Sequence, residues 1–472
     1  MKSAVHTIPL CLSFDRGTLV LTGGAEEEAA ALLRQGPWAW DTRVSAWRCD
    51  AIHYREVRET LGARFGERLQ DELPKPHRVN WPQVSLPPPR REQQEALEAW
   101  RAAGGRGQVV MPTGTGKTEV ALAAMRQTSI ATLVVAPVRD LMYQWHRRIL
   151  RGLGYDAGIL GDNRYNVQPV TVTTYDSAYI HMAELGAKFG LVVFDEEHHL
   201  PGPYRREAAL LCAAPLRLGL TATPERSDGL HADLDWLIGP VVYRQEISEA
   251  KGRTLADYDV VRIPVALTEE EQARYEEASR VVRGFIIAKR EEKKDYDWQD
   301  LCAESGKDPE ARKAQRAYYA KKAIEDRAGE KLRVLEDLFR LHAGERIMVF
   351  AGSNAMALDV SRRFLVPTLL AHSRKKERLA ALEGFGSGRF PVIVANQVLD
   401  EGVDVPEAKV AIVIGGQTST RQAKQRLGRI LRRTGQARAT LYEVVCQDTG
   451  EEARSRRRRD SDAYEHTTRR RL

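Results

Sequence analysis

Cysteine is scarce and unpatterned in this chain. Only five occur in 472 residues, Cys11, Cys49, Cys212, Cys302 and Cys446, and none stands at a paired or metal-ligand spacing. That excludes a disulfide framework and a zinc site and fits a reducing cytoplasm. Long apolar runs are missing as well, for no segment approaches the roughly 20 residues a membrane helix requires. The opening MKSAVHTIPLCLSF has one lysine and a short apolar run broken by Pro9, which is weaker than a secretory signal. A soluble, cytoplasmic protein with no membrane partner is expected. No cluster of acids with a lysine, as a nuclease would need, stands out.

What is present begins with charge. Against 65 acidic residues stand 72 basic ones, a formal balance of +7 that favours polyanionic partners, nucleic acid first. The length suits roughly three domains of about 150 residues. Residues 1–80 read as a small α+β unit, with an alternating stretch at Leu19 to Leu21, a hairpin from Trp38 to Trp47 and a charged helix from Tyr54 to Leu69. The proline-rich stretch from Pro74 to Pro89 reads as a stiff linker.

From there to 245, short apolar runs alternate with helical stretches, the pattern of a parallel sheet with crossover helices. The pattern resumes with Ile347 to Phe350, Val392 to Val394, Val410 to Ile414 and Leu441 to Val445, so 81–245 and 246–450 form two α/β domains. A polar segment, 268–330, interrupts the second as a helical insertion, and 451–472 is a basic tail whose RSRRRR reads first as plain disorder.

The most telling stretch is MPTGTGKT, residues 111–118, between an apolar run and a helix-like segment. Gly114 and Gly116 let backbone N–H groups turn around phosphate oxygens, Lys117 supplies a point charge, and the Thr118 hydroxyl can complete a magnesium shell. The loop backbone from Thr113 through Thr115 belongs to the same cradle. FDEEHHL at 194–200 follows Leu191 to Val193 and puts its acids at a strand's C-terminal end, where an open α/β sheet places its chemistry. Asp195 is the expected magnesium-side carboxylate and Glu196 the base or orienter of the attacking water. His198 would couple this site to its neighbours. LTATPER at 220–226 ends another strand with hydroxyls at Thr221 and Thr223, and QRLGRILRR at 425–433 spaces Arg429 and Arg432 on one helical face. A guanidinium brought from a second domain onto a γ-phosphate makes hydrolysis depend on domain closure.

PTGTGKT, DEEH, TAT, VLDEGVDVP and QRLGRILR in this order resemble the superfamily 2 helicases of the DExH type. More narrowly the chain resembles the XPB (xeroderma pigmentosum group B) repair helicases in their short archaeal and bacterial form. GLTATPER, the segments at 228–243, FLVP, GFGSGRF, NQVLDEGVDVPEA and RLGRILRR carry that likeness. The resemblance implies two RecA-like parallel-sheet domains, an N-terminal damage-recognition-like domain and a thumb-like insertion, with ATP and magnesium as cofactors. It implies a 3′–5′ DNA helicase and DNA-dependent ATPase acting in repair, on single-stranded and forked DNA. The alternative is a duplex translocase or remodeller with weak unwinding that works with a nuclease partner, and a monomer or hetero-complex is expected.

Residue by residue, Gln93 occupies the place of the adenine-reading glutamine, with Glu92 where the family has an aromatic. Gly402 and Asp404 match nucleotide contacts in the second domain, Arg429 and Arg432 the arginine fingers, and Gln425 a coupling position. Pro137 with Arg139, Thr173 with Thr174, and His372 match strand-tracking elements that hold the DNA backbone. The family's Arg-Glu-Asp motif appears as Arg226, Ser227 and Asp228, without its central acid. Trp38, Trp40 and Trp47 are either the core of the N-terminal unit or part of its recognition surface.

Overall fold

The computed structural model describes residues 9–23, 33–226, 228–246, 249, 258–370, 372–396, 408–415 and 439–459. It divides into two compact units, Met1–Glu246 and Ile247–Leu472.

The first unit contains two sheets. Its N-terminal sheet runs, in spatial order, Ala39–Asp41, Ala46–Asp50, Thr18–Thr22, Leu10–Asp15 and Leu69–Asp71, antiparallel except for the last pair. The Tyr54–Phe65 helix covers one face through Val57, Leu61 and Phe65, three buried positions spaced for one helical stripe. Trp38 and Trp47 pack against this core, whereas Trp40 is 43% exposed and meets Trp47 edge-on at 5.4 Å. Trp38 and Trp47 thus belong to the core of the unit, and Trp40 stands outside it. This subdomain is docked rather than tethered: Ala187 and Ala213 join its core, and Arg55 Nη1 donates to Gly104 O at 2.7 Å.

The second sheet has eight strands in the order Val241–Arg244, Arg106–Val110, Leu216–Thr221, Leu191–Asp195, Thr132–Ala136, Val170–Thr174, Gly158–Gly161 and Arg164–Tyr165. All neighbours are parallel except the terminal hairpin. Helices on both faces bury it, which is why strands such as LVVFD are apolar throughout rather than alternating. Arg217, fully buried within this sheet, donates from Nη1 to Ala209 O (3.1 Å) and Leu237 O (2.9 Å), so one buried guanidinium ties two neighbouring helices to the strand through their carbonyls.

The second unit carries a six-stranded parallel sheet ordered Tyr258–Val265, Ala439–Cys446, Val410–Val413, Ile347–Phe350, Val392–Ala395 and Thr368–Leu369. The insertion is helical, as its polarity and lack of strand signals suggest: Glu269–Glu292, Trp298–Glu304 and Pro309–Arg327. A Thr268/Glu271 capping box starts the first of these, and Asp308 caps the last with Pro309 in its first turn. The basic tail differs from the disorder expected of it as far as Arg459. Gly450–Arg459 is a helix, held because Arg454 reaches the buried carboxylate of Glu325 and the Glu451 carboxylate pairs with the buried ammonium of Lys331. Residues beyond Arg459 lie outside the described region.

Candidate functional site

Three chemistry-bearing motifs end on three adjacent strands of the eight-stranded sheet. The parallel register sets Val110 opposite Thr221 and Leu220 opposite Asp195, so MPTGTGKT, TAT and DEEH emerge level with one another at the C-terminal edge.

The loop after Val110 turns into the Lys117–Thr128 helix through Gly114 (φ +89°) and Gly116 (φ +93°). Gly116 is required twice, for a Cβ there would also lie 2.2 Å from Gln93 Nε2. Gln93 is buried; its Oε1 accepts from Arg90 N and its Nε2 donates to Thr115 O, both at 2.9 Å. Its amide thus clamps the glycine-rich loop to the preceding helix. Thr115 donates its hydroxyl to Pro112 O (2.7 Å), and Lys117 Nζ donates to Met111 O (3.0 Å). Among the described residues the buried hydroxyl oxygens of Thr113 and Thr223 have no partner, so both are available to a polar ligand.

Asp195 is buried at the strand end. Its Oδ2 accepts from Trp145 Nε1 (2.8 Å), its Oδ1 from Glu196 N (3.1 Å), and its backbone oxygen from the Tyr175 hydroxyl (3.0 Å). Burial first, and the neighbouring Glu196 charge second, raise its carboxyl to about 6, while Trp145 and Lys117 pull the other way. Glu196 follows in a left-handed conformation (φ +48°), a strain that non-glycine residues carry mainly at functional sites. Its Oε2 lies 3.4 Å from Thr221 Oγ1 and 3.5 Å from His198 Nδ1. His198 Nδ1 is 3.0 Å from Thr221 Oγ1, which also accepts from Thr223 N at 3.1 Å. Of the expected coupling residues of the first unit, His198 and Thr221 therefore meet Glu196, and Thr223 reaches it only through Thr221. Glu197 is different: fully buried, its two oxygens unpartnered, its carboxyl pushed well above the ordinary range by burial, it fills the space above Gly219.

The expected strand-facing residues are more scattered in role. Pro137 is buried, and Arg139, exposed at the start of its helix, pairs with Asp162 at 2.8 Å. Thr173 is buried and donates to Leu160 O, while Thr174 caps the Tyr175–Leu185 helix, so both hydroxyls are engaged within the fold. Arg226 is forked onto Asp228 (3.0 and 2.6 Å) and donates to His198 O at 2.6 Å, which links this motif to the coupling cluster. His372, in the second unit, is exposed. Ser227, Gly402, Asp404, Gln425, Arg429 and Arg432 fall outside the described residues. Trp145 and Tyr175, which hold Asp195, were not singled out from sequence, since on an apolar helix face both read simply as core.

This donor set suits a polyphosphate with one hard cation. A glycine cradle at a helix N-terminus, a lysine and unpartnered hydroxyls match phosphate oxygens. One carboxylate and the Thr118 hydroxyl suffice for a magnesium ion that shares its shell with phosphates and water. Among the described residues no group of three or more His, Cys, Asp or Glu forms an all-protein metal cage, and no helix is long and apolar enough to cross a membrane.

Comparison with known proteins agrees. Residues 12–70 match the xeroderma pigmentosum group B helicase damage recognition domain, 86–226 the type III restriction enzyme res subunit, and 313–461 the ERCC3/RAD25/XPB C-terminal helicase. The chain is 40% identical over 425 residues to the DNA 3'-5' translocase XPB2 of Sulfurisphaera tokodaii, covering 89% of this chain and 95% of that one. It is 32% identical over 361 residues to the DNA 3'-5' helicase XPB of Kineococcus radiotolerans (73% and 58% covered). It is 26% identical over 400 residues to the general transcription and DNA repair factor IIH helicase/translocase subunit XPB1 of Arabidopsis thaliana (77% and 47%). The chain thus spans about half the length of these last two. The Hef helicase domain of Pyrococcus furiosus shares the fold, with a TM-score of 0.53 at 18% identity over 77% of this chain and 97% of that one. With a relative this similar over nearly its whole length, and family-specific matches at both ends, this chain belongs to the XPB helicase family.

Proposed function

We propose that this chain is an ATP-dependent 3′–5′ DNA helicase, a DNA-dependent ATPase acting in repair. One observation carries the reading: the loop that leads to Lys117, the Asp195–Glu196 pair and Thr221 all leave level ends of adjacent strands, as phosphoryl transfer by positioning and charge requires. Magnesium ATP bound there supplies the phosphoanhydride to be cleaved and a cation that neutralises charge on its oxygens. Lys117 leaves Met111 O to hold the outer phosphates, and Asp195 and Thr118 hold the cation. Glu196 orients the attacking water and accepts its proton, while Thr221 and His198 hold the Glu196 carboxylate and tie it to Arg226. Arg429 and Arg432 are proposed as the arginine fingers, with Gly402 and Asp404 as nucleotide contacts and Gln425 as a coupling residue. Pro137, Arg139, Thr173, Thr174, Arg226, Asp228 and His372 are proposed to track the strand through its backbone.

The test is strand displacement on forked DNA with defined 3′ or 5′ tails, with and without ATP. ATP-dependent opening of the 3′-tailed fork alone is expected, and equal opening of both, or none, would reject helicase polarity. A second reading is favoured by the name of the Sulfurisphaera relative, a translocase, and by Arg226 spending its fork on Asp228. On that reading the chain moves along duplex DNA and opens it poorly, in a hetero-complex with a nuclease, and triplex displacement would outrun fork opening.

Proton competition gives a further expectation. Because the Asp195 carboxyl is raised to about 6, a proton displaces the cation below that pH and apparent magnesium affinity should fall about tenfold per pH unit. Above it affinity should be level. Titrating magnesium against ATP binding between pH 5 and 7.5 reads this directly, and a flat profile would remove Asp195 from the cation shell.

A further inference from the structure

Asp195 is held by two residues that lie outside the helicase motifs. Trp145 donates its indole N–H to Oδ2 at 2.8 Å, and Tyr175 donates its hydroxyl to the backbone oxygen at 3.0 Å. Both donors are buried, at 2% and 0% exposure. Burial alone does not require this choice of acceptor: Trp100, equally buried, satisfies its N–H on the carbonyl of Arg217. Trp145 is instead committed to a carboxylate, where the bond is charge-assisted and roughly twice as strong as a neutral one.

The placement of these donors along their helices is informative. Trp145 belongs to Arg139–Leu153, which starts at the Pro137–Arg139 loop, and Tyr175 opens Tyr175–Leu185, which starts at Thr173 and Thr174. These are the two loops proposed to track the DNA backbone. Trp145 lies six residues into its helix, about 9 Å along it at ~1.5 Å per residue, so one continuous helix links the loop to the indole. Asp195 itself rides on a strand paired in register on both sides, through Phe194 with Val135 and through Asp195 with Leu220. The carboxylate thus stands on a strand paired on both sides, and its two outside donors stand on the helices that follow the two loops.

We infer that Trp145 is a positioning residue, with Tyr175 its second support, that aims the Asp195 carboxylate and makes its aim depend on strand occupancy at the two loops. This rests on the DNA-motor reading above. An indole on one oxygen and the Glu196 N–H on the other leave a defined remainder of the carboxylate's lone pairs free for a cation or its water.

The experiment uses the full chain with Trp145→Phe, which keeps a ring in the core and removes the donor. Hydrolysis is measured across a magnesium titration, with and without a single-stranded oligonucleotide, beside a melting curve. The half-saturating magnesium concentration is expected to rise about 10- to 100-fold, as for other outer-shell partners of metal ligands. Stimulation by DNA should collapse at limiting magnesium and return at saturating magnesium, with KM for ATP held within about twofold. A merely structural tryptophan would lower the melting point and leave the magnesium requirement where it was. A folded Trp145→Phe protein with wild-type magnesium dependence and wild-type stimulation overturns the inference. If that variant does not fold, Tyr175→Phe, which retains the stack on Phe194, decides in the same assay: a shift in magnesium dependence or stimulation upholds it and no shift overturns it. A wild-type chain whose hydrolysis ignores DNA would remove the proposed function instead, and the magnesium shift would still decide the positioning role.

Discussion

Glu196→Gln is expected to lower DNA-stimulated ATP turnover by about 10²- to 10⁴-fold, the range for loss of a positioned general base. Glutamine keeps the shape and can still meet Thr221 and His198, so the neighbouring hydrogen bonds survive. What is lost is the acceptor for the water's proton. ATP binding should be preserved or tightened, and the sign follows from the electrostatics. The Glu196 charge is the second cause, after burial, of the raised Asp195 carboxyl, so its removal lets Asp195 ionise more readily and favours a cation beside it. The variant should therefore retain nucleotide while turning it over slowly. Glu197, one residue on, cannot substitute, because it is fully buried and faces Gly219 rather than the loop. Paired measurements of nucleotide binding and single-turnover hydrolysis test this, and wild-type turnover in the purified variant would reject the assignment of Glu196.

The largest expected effect on stability lies in the second unit, at Lys331. Its ammonium has no exposure and donates to Glu325 O (2.7 Å), Ile414 O (3.1 Å) and both oxygens of Glu451 (2.9 and 2.8 Å). Glu451 in turn accepts from Cys446 N at 2.9 Å. One cation thus joins the end of Pro309–Arg327, the loop after Val410–Val413 and the Gly450–Arg459 helix. Removing it by Lys331→Met leaves Glu451 buried and unpaired, which costs about 3–5 kcal/mol. For a unit of this size that corresponds to a drop in melting midpoint of roughly 6–20 °C. Adding Glu451→Gln to Lys331→Met keeps an acceptor for Cys446 N, removes the orphaned charge and should recover part of the loss. Burial by itself would lower the Lys331 ammonium, but Glu451 and its neighbours offset that and leave it above the usual lysine range. A raised lysine stabilises the fold below its unfolded value of about 10.4 and loses that contribution only in stronger alkali. The pair should be insensitive to pH between 6 and 9, and a variant that melts like the wild type would contradict it.

The motifs were legible because their chemistry is local. PTGTGKT needs its glycines for backbone conformation, and both Gly114 and Gly116 have positive φ. LVVFD announces a strand buried on both faces by being apolar throughout, and its acids had nowhere to go but the strand end. Gln93 was read as a base contact from its place in the chain, yet its amide is spent on Arg90 N and Thr115 O. Thr173 was read as strand-facing, and its hydroxyl turns inward to Leu160 O. In both cases the direction of the polar group is set by what the fold brings beside it, Thr115 for Gln93 and Leu160 for Thr173. The arginine run after Gly450 looked like a solvated tail because its charge is obvious and its partner Glu325, over a hundred residues earlier, is not.

Sequence by itself determined the two parallel-sheet units, the helical insertion between their strands and the order of the nucleotide motifs, because apolar period, glycine conformation and capping act over a few residues. Tertiary structure alone decided which acid of DEEH is aimed outward and which is sealed in. It alone brought Thr221 and His198 onto Glu196, and Trp145 and Tyr175 onto Asp195. The physical reason is that a hydrogen bond's direction and a carboxylate's ionisation depend on what the fold places within a few ångströms, and those partners come from strands and helices that no local pattern ties together.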